Sequence, residues 1–290
     1  MEGGAAIAPR QGCGCHFVSP RLFFYISAVN ATQSEIKYLR SLQQKKYREE
    51  ERKFLLEGWR PLQDALESEY CIEMIAVLPG ANKISEHQSM LARARNRNIP
   101  VKELKEVQLK QVSDEVHSQG VVALVQQRRE VFEVSHLQFS KFIVACDSVS
   151  DPGNLGTILR TCDWFGVDAV LLGGGCASLY NEKVVRATAG SIFHLNVFEN
   201  LELSAALSDL HSEGFRIIAS ALEGTAYHSF EHPKKTVLVL GSEAHGVEER
   251  ILKLADEVLR IPRYGKAESL NVGIACGIFL AAWRNQLAGK

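Results

Sequence analysis

Three segments of the chain combine polar side chains with glycine or proline directly after apolar runs that are typical of strands. They read DSVSDPGNLGTILR (residues 147–160), LGSEAHG (240–246) and IPRYGKAESLNV (261–272). Ligands of open parallel sheets bind beyond the carboxyl ends of the strands, and glycine lets the backbone approach a ligand closely. Arg160 ends the first segment with five fixed donors and a permanent charge, which suit phosphate oxygens. The segments therefore predict a ligand site at one edge of a sheet.

Each segment taken alone also has an ordinary structural interpretation. Asn154 is a good N-cap for the helix that follows it, and Ser269 and Asn271 are suitable caps for the last helix. Glu243 suits the first turn of a helix, where a negative charge is favourable. The glycines at 173–175 match neither the dinucleotide-binding nor the P-loop fingerprint, which argues against a Rossmann-type nucleotide enzyme.

The elements that must position these side chains follow from the order of apolar runs. Over residues 140–290, strands that are nearly continuous apolar runs alternate with helices, which predicts a mostly parallel α/β sheet covered on both faces. A second alternation over 32–127 predicts a small α/β domain, and 128–139 is predicted to be a polar linker. Residues 1–31 are expected to be a disordered extension. The predicted elements that matter below are a helical stripe over 33–53, strands at 142–149, 193–197, 236–242 and 258–262, and helices from Asn154, over 247–255 and over 270–287.

Composition excludes several classes of protein. The 290 residues carry 33 Lys and Arg against 34 Asp and Glu, so the net charge of −1 excludes a uniformly basic coat for nucleic acid. Seven cysteines, an odd number, favour a reduced intracellular chain, and we expect a cytoplasmic location. Leu270–Trp283 is shorter than the ~20 residues that a bilayer requires, so no membrane partner is expected. Cys13, Cys15 and His16 have no second ligand cluster nearby, so no metal is expected.

Local basic runs are nevertheless present. Residues 37–53 carry seven basic side chains against three acidic ones, with Lys45, Lys46 and Arg48 at the centre of the run. A second basic run covers 93–110. Clustered positive charge of this kind fits contact with a nucleic-acid backbone, and it also fits a solvated helix face.

Taken jointly, the three segments resemble the three motifs of the SpoU/TrmH family of RNA ribose methyltransferases, within the SPOUT superfamily. The patterns D-x-V-x-D-P-x-N-x-G-x-x-x-R, L-G-x-E-x-x-G and I-P-x-x-G-x-x-x-S-L-N-V are matched in order and spacing. The resemblance covers about 140–288 of this chain. The N-terminal part, through KKYREEERKFLLEG and GVVALV, resembles the family's small RNA-binding domain, which is similar to ribosomal protein L30e.

The resemblance implies a SPOUT domain with a trefoil knot near its carboxyl end, which binds S-adenosylmethionine and forms homodimers. It implies methyl transfer to a ribose 2′-hydroxyl in structured RNA, with ribosomal RNA preferred and transfer RNA as the alternative. A catalytically inactive RNA-binding member of the same fold is a further alternative. Because a guanidinium is a poor base, Arg160 is expected to stabilise oxyanion charge, and also to grip phosphate. The positions that the resemblance assigns to the remaining catalytic set are Asn154, Glu243, Ser269 and Asn271, and those assigned to the cofactor are Gly241, Ile261 and Leu270.

Overall fold

The structure is a computed structural model, and it describes residues 29–113, 118–231 and 233–288. Within these ranges the chain forms two sheets, one of five strands and one of six. The predictions for residues 1–28, including those for Cys13, Cys15 and His16, lie outside the described residues. None of the described helices is both long enough and apolar enough to cross a membrane.

The first sheet belongs to the N-terminal part of the chain and has the strand order β1-β4-β3-β5-β2. Strand β5 is antiparallel to both of its neighbours, whereas β4 pairs in parallel with β1 and β3. The elements are β1 Val29–Asn30, α1 Gln33–Ser41, α2 Lys45–Glu51, β2 Lys53–Glu57, α3 Trp59–Glu67, β3 Ile72–Val77, α4 Ser85–Asn96, β4 Val101–Glu103, α5 Glu106–Val112 and β5 Val121–Gln126.

Two features of this sheet differ from the sequence prediction. The helical stripe predicted over 33–53 is divided into two helices, and only the first starts with a capping box, formed by Thr32 and Glu35. Val29 and Asn30, expected to be part of the extension, instead pair with Lys102 and with Glu103 of β4. That pairing depends on a strand more than seventy positions away along the chain, so no local pattern announces it.

The second sheet has the strand order β11-β9-β10-β6-β7-β8, and all of its pairings are parallel. This confirms the predicted mostly parallel α/β architecture. Helices α6, α7 and α10 pack on one face of this sheet, and α8 and α9 pack on the other. A separate cluster of buried apolar residues lies between the sheet and the helices on each face. The elements are β6 Phe142–Asp147, α6 Pro152–Trp164, β7 Ala169–Gly173, α7 Glu182–Thr188, β8 Val197–Leu201, α8 Leu203–Ser212, β9 Arg216–Ala226, β10 Thr236–Gly241, α9 Glu249–Leu254, β11 Glu257–Arg260 and α10 Val272–Ala288.

The start of α6 corrects the prediction that Asn154 caps this helix. The cap is Asp151, whose Oδ1 accepts a hydrogen bond from the Asn154 backbone N–H at 2.8 Å. Pro152 follows as the first helical residue, where its fixed φ is favourable and its missing N–H costs nothing. The Asn154 side chain is therefore free for other contacts. The strand predicted at 193–197 also begins later, at Val197, because residues 191–193 form a 3₁₀ turn.

The two sheets share a continuous buried cluster rather than being joined only by a linker. The ring of Phe54 on β2 lies 4.8 Å from that of Tyr180, in the segment before α7. The Tyr180 hydroxyl accepts from the Arg128 N–H at 3.0 Å and donates to the Arg128 carbonyl at 2.6 Å. The stretch predicted as a linker contains a 3₁₀ turn, Val134–Leu137, with Leu137 buried. Packing thus fixes the small α/β part on the larger one.

Candidate active site

The three motif segments leave the second sheet at one edge. Strands β6 and β10 are parallel neighbours, and Gly241 is aligned with Asp147 in their register. The first and second segments therefore emerge side by side. The third segment leads into α10, which packs on α6 of the first segment. At their closest approach, a Cβ added to Gly273 would lie only 2.9 Å from the Thr157 methyl group.

The side chain of Asn154 joins all three segments. Its Nδ2 donates to the Glu243 carboxylate of the second segment, and its Oδ1 accepts from the Asn271 Nδ2 of the third at 2.7 Å. Because an ionised carboxylate only accepts hydrogen bonds, the Glu243 contact fixes which end of the Asn154 amide donates. Asn271 also caps α10, since its Oδ1 accepts from the backbone N–H groups of Gly273 and Ile274 at 2.9 and 3.3 Å. Asn271 therefore both caps α10 and takes part in the hydrogen-bonded group that joins the three segments.

The second segment forms a tight turn directly after β10. The Gly246 N–H donates to the Ser242 carbonyl at 2.8 Å, and the His245 N–H donates to the Ser242 hydroxyl at 3.2 Å. A Cβ at position 241 would lie under 3.0 Å from the backbone of Gly246 and of Val247. Only glycine fits at Gly241 without moving this turn. Gly241 therefore lets the backbone of residues 246 and 247 fold back closely against the end of β10.

Asp147 is a residue to which the sequence analysis assigned no role. It is 7% exposed, and its Oδ2 accepts from the Glu248 N–H at 2.7 Å while its Oδ1 accepts from the Ser148 hydroxyl at 3.1 Å. Asp147 thus ties the first segment to the start of α9, next to the second segment. Its position at the head of the first motif was the available signal. A cleft of about 470 Å³ opens beside it, lined in part by Gly174 and Arg250.

Arg160 lies nearly two turns after Asn154 on α6, and its side chain is exposed. No hydrogen bond or ion pair joins its guanidinium to another described residue. A permanent cation without a protein carboxylate is available to an anionic ligand or to oxyanion charge. The local geometry is therefore compatible with the role expected for Arg160.

The other predicted residues of the third segment differ in exposure. Ile261 is half-buried and packs against the main core cluster, whereas Leu270 is 45% exposed. Ser269 is also exposed, and the structure shows no hydrogen bond from it to another described residue. The structure thus joins Asn154, Glu243 and Asn271 directly, and leaves Ser269 outside that hydrogen-bonded set.

Arg48 departs from the expectation that it contacts RNA. It is 4% exposed, and its Nη1 donates to the carbonyls of Leu42 and Gln43 at 2.9 and 2.6 Å. Burial lowers the pKa of this guanidinium. Arg48 therefore holds the connection between α1 and α2 together, which corrects its assignment to the RNA surface. Lys45 and Lys46 are exposed, and their amines lie 3.6 and 3.9 Å from carboxylates one turn further along α2.

Four cysteines of the described residues are free thiols. They are Cys146, Cys162, Cys176 and Cys276. Burial raises the pKa values of Cys146 and Cys162 well above the usual range, so these two thiols are inert. In the three described ranges, no group of three or more His, Cys, Asp or Glu side chains is arranged to hold a metal ion.

Comparison with known families gives matches to both parts of the chain. Residues 141–281 match the model of the SpoU rRNA Methylase family, and residues 33–123 match that of the MRM3-like substrate binding domain. The chain is 31% identical over 252 residues to the 23S rRNA (guanosine(2553)-2′-O)-methyltransferase RlmP of Bacillus subtilis, covering 87% of this chain and 96% of that protein. It is 29% identical to rRNA methyltransferase 3A, mitochondrial, of Danio rerio, covering 83% of this chain and 66% of that protein.

Solved structures show the same architecture. The AdoMet-bound rRNA methyltransferase from Sinorhizobium meliloti superposes with a TM-score of 0.78 and 30% identity, covering 90% of this chain and 98% of that one. The SpoU methyltransferase AviRb from Streptomyces viridochromogenes, in complex with AdoMet, has a TM-score of 0.78 at 22% identity, covering 89% and 100%. At that identity the second likeness concerns the fold alone.

Proposed function

Since this chain belongs to the SpoU rRNA methylase family, we propose that its three converging segments form the active site for methyl transfer to a ribose 2′-hydroxyl. The enzyme is an RNA methyltransferase that uses S-adenosylmethionine. The observation that carries the assignment of the site is the Asn154 carboxamide, which links Glu243 to Asn271. Residues 89 and 117 positions away from Asn154 in sequence thereby meet at one point.

The cofactor site is proposed at Gly241, Ile261 and Leu270. The fit rests on the tight backbone at Gly241, which leaves no room for a side chain, and on the exposed apolar side chain of Leu270. These residues would hold the cofactor through backbone groups and apolar contact. When bound, S-adenosylmethionine supplies the electrophilic methyl group of its sulfonium.

Arg160 is proposed to stabilise negative charge on the ribose oxygen as the 2′-hydroxyl loses its proton to water. A guanidinium remains protonated at ordinary pH, so it acts through its charge rather than as a base. The same side chain can hold a phosphate of the RNA. Asn154 is proposed to orient the ribose, with Glu243 and Asn271 fixing its amide and Ser269 completing the site from the third segment.

Ribosomal RNA is the proposed substrate. RlmP and the Danio rerio relative are both named for rRNA, and both are similar to most of this chain. The small domain, predicted at 32–127, is proposed to bind RNA, with Lys45 and Lys46 at its basic surface. Mapping of 2′-O-methyl positions in RNA from cells with and without this protein separates rRNA from tRNA as the target.

A homodimer is also proposed, formed through the larger α/β part. Ile274 on α10 is 56% exposed, and Leu270, two residues before this helix, is 45% exposed, which gives apolar surface next to the site. A cytoplasmic location is proposed because Cys146, Cys162, Cys176 and Cys276 are free thiols, as expected in a reducing compartment.

Arg160→Ala tests the catalytic assignment. We expect methyl incorporation from labelled cofactor into unmodified ribosomal RNA to fall to background, while S-adenosylhomocysteine still binds in calorimetry. Arg129→Ala is the matched control, because Arg129 is exposed and lies outside all three segments. Retention of most turnover by Arg160→Ala would reject the proposed role.

A further inference from the structure

Trp164 at the end of α6 is a large aromatic side chain that the protein leaves in solvent. It is 85% exposed, whereas Trp59 and Trp283, the other two tryptophans of the chain, are 4% and 2% exposed. Single apolar residues are common on protein surfaces and need no explanation by themselves. The position of Trp164 relative to the proposed active site is what makes it informative.

Trp164 belongs to the same exposed stripe of α6 as Arg160. At ~100° per residue, Gly153, Thr157, Arg160 and Trp164 fall within an arc of about 60° on the helix surface. All four are exposed, and Leu155 and its apolar neighbours occupy the opposite, buried face. Trp164 lies one turn beyond Arg160, on the side away from the motif loops.

Two other helices pack against α6 on either side of the stripe. On one side, α7 comes so close that a Cβ on Gly156 would lie under 3.0 Å from the Ala187 Cβ. On the other side, α10 approaches through Gly273 at Thr157, and through Gly277, where an added Cβ would lie 3.9 Å from the Thr161 methyl group. An extended strand lying along the stripe would contact Arg160 and Trp164 in turn.

A chain of polar contacts connects the Trp164 end of the stripe to the small domain. Asp163, which precedes Trp164, lies 3.0 Å from the His194 Nδ1. The His194 Nε2 is 4.0 Å from Asp64 on α3, and Asp64 pairs with Arg60 at 3.5 Å. The Arg60 side chain is 75% exposed. These contacts place the exposed Arg60 of the proposed RNA-binding domain near the Trp164 end of α6.

We propose that Trp164 stacks on a base of the RNA strand that runs from the target ribose towards the small domain. The inference rests on the proposed function and names the path of its substrate. We assign the stripe to RNA rather than to a second copy of the chain. Arg160 has no carboxylate partner among the described residues, and RNA brings phosphates that can pair with its charge. Trp164 is thus a positioning residue, outside the reacting atoms.

Tryptophan fluorescence gives a direct readout, because the other two indoles are buried. We expect a twelve-nucleotide oligoadenylate to quench the emission of the wild type, and we expect Trp164→Phe to lose that quenching. Quenching of equal size in Trp164→Phe would overturn the proposal, since the signal would then come from a buried tryptophan.

Kinetics with unmodified ribosomal RNA complete the test. Loss of base stacking on an aromatic side chain weakens RNA binding. Trp164→Ala should therefore raise the RNA KM roughly 5- to 100-fold, with a smaller change in kcat. Trp164→Phe should recover most of the loss. The control is Phe139→Ala, because Phe139 is 87% exposed but lies outside the α6 stripe, and its KM should equal that of the wild type.

The outcomes separate this inference from the proposed function. If the wild type transfers no methyl group to RNA, the proposed function fails and the stacking role with it. If the wild type is active and Trp164→Ala has the same RNA KM, only the stacking role fails. Light scattering on Trp164→Ala should show the oligomeric state of the wild type. A change in that state would assign Trp164 to a protein interface and overturn the proposal.

Discussion

Substitution of alanine for Gly241 tests how strictly the turn after β10 defines the cofactor site. The new Cβ would lie under 3.0 Å from backbone atoms of Gly246 and Val247, and no flexible side chain is there to move aside. The turn must therefore shift by about 1 Å, and overpacking of this kind costs about 1–3 kcal/mol. For a chain of this size we expect Tm to fall by about 3–10 °C.

The effect on cofactor binding should exceed the effect on folding. Sites made of backbone groups need positions accurate to about 0.5 Å, and each tenfold loss of affinity corresponds to about 1.4 kcal/mol. Loss of two backbone contacts would thus weaken S-adenosylhomocysteine binding about 100-fold. Calorimetry measures that affinity, and circular dichroism measures Tm.

Gly174→Ala is the matched control for Gly241→Ala. Gly174 also lies beyond a strand of the same sheet, but nothing lies within 4 Å of its added Cβ. We expect wild-type affinity and a Tm within about 2 °C of the wild type, as for most surface changes. Wild-type affinity in Gly241→Ala would refute the reasoning, because it would mean that the crowded turn does not shape the cofactor site.

Three further substitutions probe other parts of the molecule. Asn154→Ala should lower kcat about 100-fold in the methylation assay, because the ribose would no longer be held in position. The helix content in circular dichroism should stay unchanged, because Asp151 supplies the cap. A loss of helix would contradict this. Arg48→Met should lower the free energy of unfolding in urea by about 2–4 kcal/mol, because two hydrogen bonds to backbone carbonyls are lost. The salt dependence of RNA binding should stay unchanged. A weaker salt dependence would mean that Arg48 contacts RNA. Tyr180→Phe should lower the free energy of unfolding by about 1–3 kcal/mol in the same assay, because the backbone N–H and carbonyl of Arg128 both lose a partner. An unchanged stability would show that water replaces the hydroxyl.

The sequence alone determined the architecture of the larger part and the identity of its motif residues. Parallel strands that are covered on both faces must be continuous apolar runs, and that pattern is visible in the order of residues. The spacing of the three motif segments likewise predicted one ligand site, because strand ends in a parallel sheet share an edge. The Asn154 contacts fit this prediction, although separate roles for Ser269 and Glu243 stay predictions.

Only the tertiary structure decided which side chains are free to act. Asp151 and Asn154 are both good N-cap residues, and the structure uses Asp151 as the cap. The Asn154 amide instead bonds Glu243 and Asn271, which lie far along the chain. Arg48 looked like its exposed neighbours, yet the turn between α1 and α2 buries it. Such outcomes depend on contacts between residues distant in sequence, and these contacts exist only after the elements have packed together.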